Sequence, residues 1–239
     1  MRKMFIALIA LLLLSGCGNI SREQASLPDL PDNAIDKEDR LVTNTTQAQE
    51  ELAAVLGLQL GRQWRYQGEG NEYAAFIATV VYVKDNYYQI EENNGGTILA
   101  RVIALQPDGA YEILTQGEHP PGKNLLNELN ASPDMANAKR LLPWPITVGT
   151  RWTWPDGSEA EVVAVNQQHD VPFGELNQVT QVRITTVRRI SDAATNQKFE
   201  ETSIVERFYA KDIGLIEQRF TAGEFVVTSR LEKITLTLS

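Results

Sequence analysis

The chain has 239 residues with 43% hydrophobic and 8% aromatic content, the composition of a globular protein large enough for one sizeable domain or two small ones sharing a core. A formal net charge of −9, with no basic stripe anywhere, argues against a nucleic-acid partner and against electrostatic adhesion to anionic lipid. The single cysteine, Cys17, excludes an internal disulfide and a cysteine-built zinc site, and no cofactor motif is present.

Met1-Arg2-Lys3 is a short positive start, and residues 4–14 form an unbroken apolar run. A bilayer-spanning helix needs about 20 apolar residues, so this run has the length of a signal-peptide core instead. Leu14-Ser15-Gly16-Cys17 follows and resembles the lipobox of bacterial lipoproteins. The resemblance implies a signal peptide over residues 1–16, cleavage between Gly16 and Cys17, and diacylglyceryl transfer to the Cys17 thiol. Two or three acyl chains give stable membrane anchoring where one is marginal. Gly18, where an Asp would imply retention at an inner membrane, permits outer-membrane sorting. The expected location is the outer face of the cell membrane, or the periplasm and outer membrane. Residues 17–45, polar and interrupted by Pro28 and Pro31, read as a lipidated N-terminus and flexible tether.

Residues 46–239 read as one β-rich domain. Thr46 and Gln49 suggest a capping box for a helix over 46–56, with Leu52, Val55 and Leu56 on one face and Gly57 as its stop. Strands are expected over 74–83, 87–92, 97–105 and 110–115. They are separated by turn signals at Lys84-Asp85-Asn86, Asn93-Asn94-Gly95-Gly96 and Gln106-Pro107-Asp108-Gly109. Residues 118–144 break the pattern. Leu125, Leu126 and Leu129 have helical spacing, and Pro133 is placed to open a second helix carrying Ala138, Leu141 and Leu142. Strands resume over 158–166, 178–190, 199–209, 213–220 and 224–238. The expected fold is mainly β: a curved antiparallel sheet or half-barrel of about ten strands with a small helical insertion.

Leu60-Gly61-Arg62-Gln63-Trp64-Arg65-Tyr66 is echoed by Val148-Gly149-Thr150-Arg151-Trp152-Thr153-Trp154. The echo suggests two related halves, about 57–117 and 145–239, each opening with a glycine turn and a strand that presents two aromatics on one face. Residues 54–66 and 141–154 are also similar to the "Pro-leu-x-x-Gly-x-x-Trp-x-Tyr" openings of an uncharacterised family of bacterial lipoproteins. The segment from Val171 to Leu176 resembles that family's "val-Pro-Ala-Gly-x-Phe" turn, with Phe173 in place of Ala. The segment from Phe208 to Ile216 resembles its "Tyr-Ala-x-Gly-val-Gly-leu-val" strand pair, with Asp212 where Gly is common. The resemblance implies a fold like that of the lipoprotein carriers and brings no activity with it.

No Gly-x-Ser-x-Gly or clustered histidine occurs, and His119 and His169 both lie in turn-like surroundings, so a catalytic site is not expected. Glu91-Glu92 and Glu200-Glu201 are adjacent strand residues that should face opposite sides. The aromatics Trp64, Tyr66, Trp144, Trp152 and Trp154 are the candidates for apolar ligand or partner contacts, against the alternative that they fill the core. Three functions stay open. A non-catalytic interaction domain calls for a filled interior and exposed apolar residues. A carrier of a lipid or other apolar ligand calls for a dry cavity of several hundred Å³. A hydrolase calls for convergent acids or a histidine in a cleft.

Overall fold

A computed structural model describes residues 35–129, 133, 135–191 and 198–237. The segment read as a leader, with Leu14, Ser15, Gly16 and Cys17, lies outside the described residues, as does Leu238 at the end of the last expected strand. One helix, α1 (Ile35–Leu56), precedes twelve strands: β1 (Arg62–Glu69), β2 (Phe76–Lys84), β3 (Tyr87–Asn93), β4 (Ile98–Gln106), β5 (Gly109–Gln116), β6 (Lys139–Pro143), β7 (Arg151–Thr153), β8 (Glu159–Val171), β9 (Gly174–Ser191), β10 (Lys198–Ala210), β11 (Gly214–Ala222) and β12 (Phe225–Leu236).

All twelve strands belong to one antiparallel sheet, in the order β6-β5-β4-β3-β2-β1-β12-β11-β10-β9-β8-β7. The first six fan outward by successive hairpins and the last six fan back, so β1 and β12 meet in the middle and β6 and β7 are the two edges. Only residues 144–150 link those edges, which forces the sheet to curl into a nearly closed barrel.

The helix plugs one end of the barrel. Ala48, Leu52 and Leu56 repeat every fourth residue and are buried, the two leucines in a cluster with Ile103, Leu105, Leu142 and Tyr209. Gly57 stops it at φ +65°, with the Gly57 N–H on the Ala54 carbonyl and the Leu58 N–H on the Ala53 carbonyl. This bond pair is a Schellman motif, which satisfies carbonyls that a helix end leaves open. The Ala54 carbonyl also accepts the Asp212 N–H (2.8 Å), joining the helix end to the β10–β11 turn. Asp212, where the resembling family often has Gly, has φ +64°, a conformation glycine enters without cost.

The two glycine turns of the echo use the same bonds. The Gly61 N–H donates to Val80 in β2 and the Gly149 N–H to Val162 in β8, both at 2.9 Å. The next residue closes a turn in each copy, Arg62 onto Gln59 (3.0 Å) and Thr150 onto Thr147 (3.1 Å). Far from this end, the tip of the β8–β9 hairpin folds across to β12, where the Phe173 N–H donates to the Leu231 carbonyl (2.9 Å).

Two expectations are corrected. The helix begins at Ile35, so its first eleven residues fall in the segment read as tether, and Thr46 lies mid-helix rather than at a cap. Gln49 reaches the Leu105 carbonyl instead of closing a capping box. Among its described residues the insertion 118–144 holds one 3₁₀ turn, Leu125–Asn127, and Leu141 and Leu142 of its second expected helix lie on the edge strand β6. Leu141 and Leu142 there are buried by strand pairing with β5, which overrides their helical spacing. Counting β6 and the short β7, the described residues form twelve strands, in keeping with the expected curved sheet of about ten.

Candidate functional site

His119 is buried and His169 partly buried. His119 is 3% exposed, beneath the loop after β5. Its Nε2 lies 3.1 Å from the Lys123 carbonyl and 3.3 Å from Glu91, beside the buried Gln89. Gln89 in turn accepts the Leu125 N–H (2.7 Å) and donates to Lys123 (2.8 Å), so this cluster pins the loop to β3. His169 stands on β8, stacked on Phe208 with ring centroids 4.2 Å apart, and its Nε2 is 3.0 Å from Glu217. Glu217 is 2% exposed and also meets Arg219 (2.6 Å) and Arg230 (3.6 Å). The expectation of turn-like surroundings therefore holds for His119, which lies in a loop but is buried there, and is corrected for His169, which stands on a strand. Among the described residues, the polar partners of both rings are amide, carbonyl and carboxylate groups. Among the described residues no group of histidine, cysteine and acids is arranged to hold a metal ion.

Strand alternation separates Glu91 from Glu92, as expected. Glu91 faces His119 outside, and Glu92 faces the interior, where it takes a 2.8 Å bond from Arg101.

Every tryptophan N–H has a protein acceptor. Trp64 donates to the Ile213 carbonyl (2.7 Å), and Tyr66 beside it donates to the Leu215 carbonyl (2.8 Å). Trp144 donates to Glu51 of α1 (3.1 Å). Trp152 and Trp154 both donate to the Arg140 carbonyl on β6. Lys139 and Arg207 lie over the Trp154 ring, 5.0 and 5.8 Å from its centroid, and Lys139 pairs with Asp156 (3.2 Å). These contacts close the barrel seam between β6 and β7 without strand hydrogen bonds.

The barrel interior has two compartments. Beneath α1 is a cavity of about 70 Å³, lined by Leu56, Trp64, Tyr66, Ile103, Tyr209 and others. That is far below the roughly 300–1,000 Å³ of small-ligand sites. Towards the opposite, open end lies a cleft of about 290 Å³ between the β1–β2 connection, β3, β4, β11 and β12. Phe76, Glu92, Arg101 and Leu215 line both spaces and form the partition between them.

Arg101 is the centre of that partition. Burial alone would lower its pKa, but Glu92 and Glu112 (3.5 Å) outweigh burial and hold it above its ordinary value. Burial first, and then Glu92, push the Tyr66 hydroxyl well above the usual tyrosine range. Arg207 in the same interior donates to Gln218 across the β10–β11 pair (2.9 Å). Trp64 and Tyr66 were legible as candidates in the sequence, and Glu92 only as half of an acidic pair, whereas Arg101, Arg207 and Gln218 were not singled out. A signal for Arg101 was present: it is the one charge within the otherwise apolar run from Ile98 to Leu105.

No family model matches the chain, and no curated protein matches its sequence. Two solved structures are similar in outline. One is a candidate lipoprotein of Parabacteroides distasonis, at 12% identity over 74% of this chain and 96% of that one, with a TM-score of 0.41. The other is a candidate exported protein with a YmcC-like fold from Bacteroides fragilis, at 15% identity over the same shares, with a TM-score of 0.39.

Proposed function

We propose that the chain is an extracytoplasmic lipoprotein, held to a membrane by lipid on Cys17, whose barrel-like domain works by binding rather than by chemistry. One observation supports that reading of the domain above others: the space beneath α1 is small and the buried charges are already paired. The cavity beneath α1, about 70 Å³, is too small for an acyl chain, which disfavours a carrier of apolar ligands. Arg101 is matched by Glu92 and Glu112, and Glu217 by His169, Arg219 and Arg230, so these buried charges serve each other. The exposed aromatic and aliphatic side chains Tyr73, Phe225 and Val226 sit instead at the open end, where Gly70 packs against the Val226 backbone. Such exposure suits contact with a partner. The charge balance leaves nucleic acid out of consideration.

The anchor rests on the lipobox, and the test is metabolic labelling of the full chain in a bacterial host with an alkyne fatty acid. The expected product begins at Cys17, carries the label and loses it in Cys17→Ala. An unmodified thiol at position 17 would overturn the reading. Native mass spectrometry of the same material, released from micelles, should show no additional non-covalent lipid. A stoichiometric bound lipid would restore the carrier.

A further inference from the structure

The open-end cleft holds groups that neither the fold nor the ion pairs use. At about 290 Å³ it is at the small end of the ~300–1,000 Å³ range of small-ligand sites. Three primary amides line it, those of Asn71, Asn94 and Gln218. Each has its oxygen fixed by a partner that can only donate. Asn71 Oδ1 accepts the Tyr73 N–H (3.0 Å), and Asn94 Oδ1 accepts the N–H groups of Gly96 (3.0 Å) and Thr97 (2.9 Å). Gln218 Oε1 accepts from the Arg207 guanidinium (2.9 Å). These partners settle which end of each amide is nitrogen. All three NH₂ groups are thus oriented donors with no protein acceptor among the described residues.

The charge in the cleft is balanced. Arg101 and Glu92 both line it and are bonded to one another, so neither an anion nor a cation is favoured. Tyr73, 60% exposed, offers an aromatic ring at the rim. Every lining strand has a neighbour on both sides in the sheet, which leaves no edge for a peptide to add to as a strand.

We propose that this cleft binds a neutral saccharide ring, with its C–H face on Tyr73 and its hydroxyl or acetamido oxygens on the NH₂ groups of Asn71, Asn94 and Gln218. A sugar has both surfaces required: an apolar ring face, and a rim of oxygen acceptors. The inference deepens the reading of a binding domain and does not depend on acylation of Cys17.

The test is isothermal titration of the full chain in lauryldimethylamine oxide, a detergent without a sugar headgroup. The probes are glucose, galactose, mannose, N-acetylglucosamine and N,N′-diacetylchitobiose. At least one should bind. Asn71→Asp and Gln218→Glu keep the oxygen that holds Tyr73 or Arg207 and replace the donor with an acceptor, so each should weaken binding tenfold or more. Tyr73→Ala, a change at an exposed side chain, should do the same with unchanged melting. Absence of binding across the panel overturns the proposal. So does equal affinity in the three variants, or equally tight binding of blocked trialanine. Any of these results would leave lipid labelling of Cys17 untouched, so failure of the site and failure of the anchor are distinguishable.

Discussion

Trp152 and Trp154 donate their indole N–H groups to one atom, the carbonyl oxygen of Arg140, each at 2.7 Å. Residues two apart on an extended chain share a face, and a carbonyl oxygen has two lone pairs, so both bonds form together. The acceptor is on β6 and the donors are on or just after β7, which ties the two sheet edges. Trp152→Phe or Trp154→Phe alone leaves the carbonyl one partner and should cost about 1 kcal/mol. The double variant leaves it none, adding a coupling of about 1–2 kcal/mol. Urea unfolding of the four forms measures this, and strict additivity would show that the two bonds are independent.

The glycine echo makes an asymmetric prediction. Gly61 and Gly149 have φ +76° and +85°, so alanine at either carries a left-handed penalty of about 1–2 kcal/mol. Their surroundings differ. A Cβ on Gly61 would lie 2.2 Å from the Thr237 carbonyl oxygen, whereas one on Gly149 would meet nothing within 4 Å. Gly61→Ala should therefore cost about 1–3 kcal/mol more than Gly149→Ala, read as the difference in urea midpoints. Equal costs would mean that the β1–β12 junction yields freely.

These two sites also show what the sequence could reveal. The turn chemistry is local, so Gly61, Gly149, Asn93-Asn94-Gly95-Gly96 and Pro107-Asp108-Gly109 all marked real turns, and the strands between them were legible within a few residues. The pairing of β1 with β12 and the edge role of β6 depend on partners far along the chain. Leu141 and Leu142 have the spacing of a helix, and only their neighbour β5 makes them a strand. The cleft was hidden for the same reason: Asn71, Asn94 and Gln218 lie on three separate connections or strands, and each alone reads as a turn or surface amide.

Glu51 gives the helix plug a weak pH dependence. The Gln47 side-chain amide first, and then the Trp144 N–H, hold its carboxyl below the ordinary 4.5. A depressed folded value means the stabilisation is present above the unfolded value and fades as pH falls through the folded one. Glu51 is exposed, so the effect is a fraction of a kcal/mol. The stability gap between wild type and Glu51→Gln should be measurable at neutral pH and gone by about pH 3. Trp144→Phe should shrink that gap at neutral pH. An identical gap at both pH values would show that the carboxylate contributes nothing.

Leu52 decides whether α1 is an integral plug or a helix resting on a finished barrel. Its side chain is fully buried, one turn from both Ala48 and Leu56, within the cluster that includes Ile103, Leu105 and Tyr209. Deleting three of its carbons should cost about 2–5 kcal/mol if the barrel end cannot collapse onto the space. The sheet is braced around that end by the seam at Arg140 and by the Asp212–Ala54 bond, so collapse is opposed. The vacated volume adjoins the cavity already bounded by Leu56 and Ile103. Leu52→Ala should therefore bind an apolar dye that wild type ignores, along with its lower urea midpoint. A loss under about 1 kcal/mol with no dye binding would mean that the helix packs loosely and that β4, β10 and β11 stand without it.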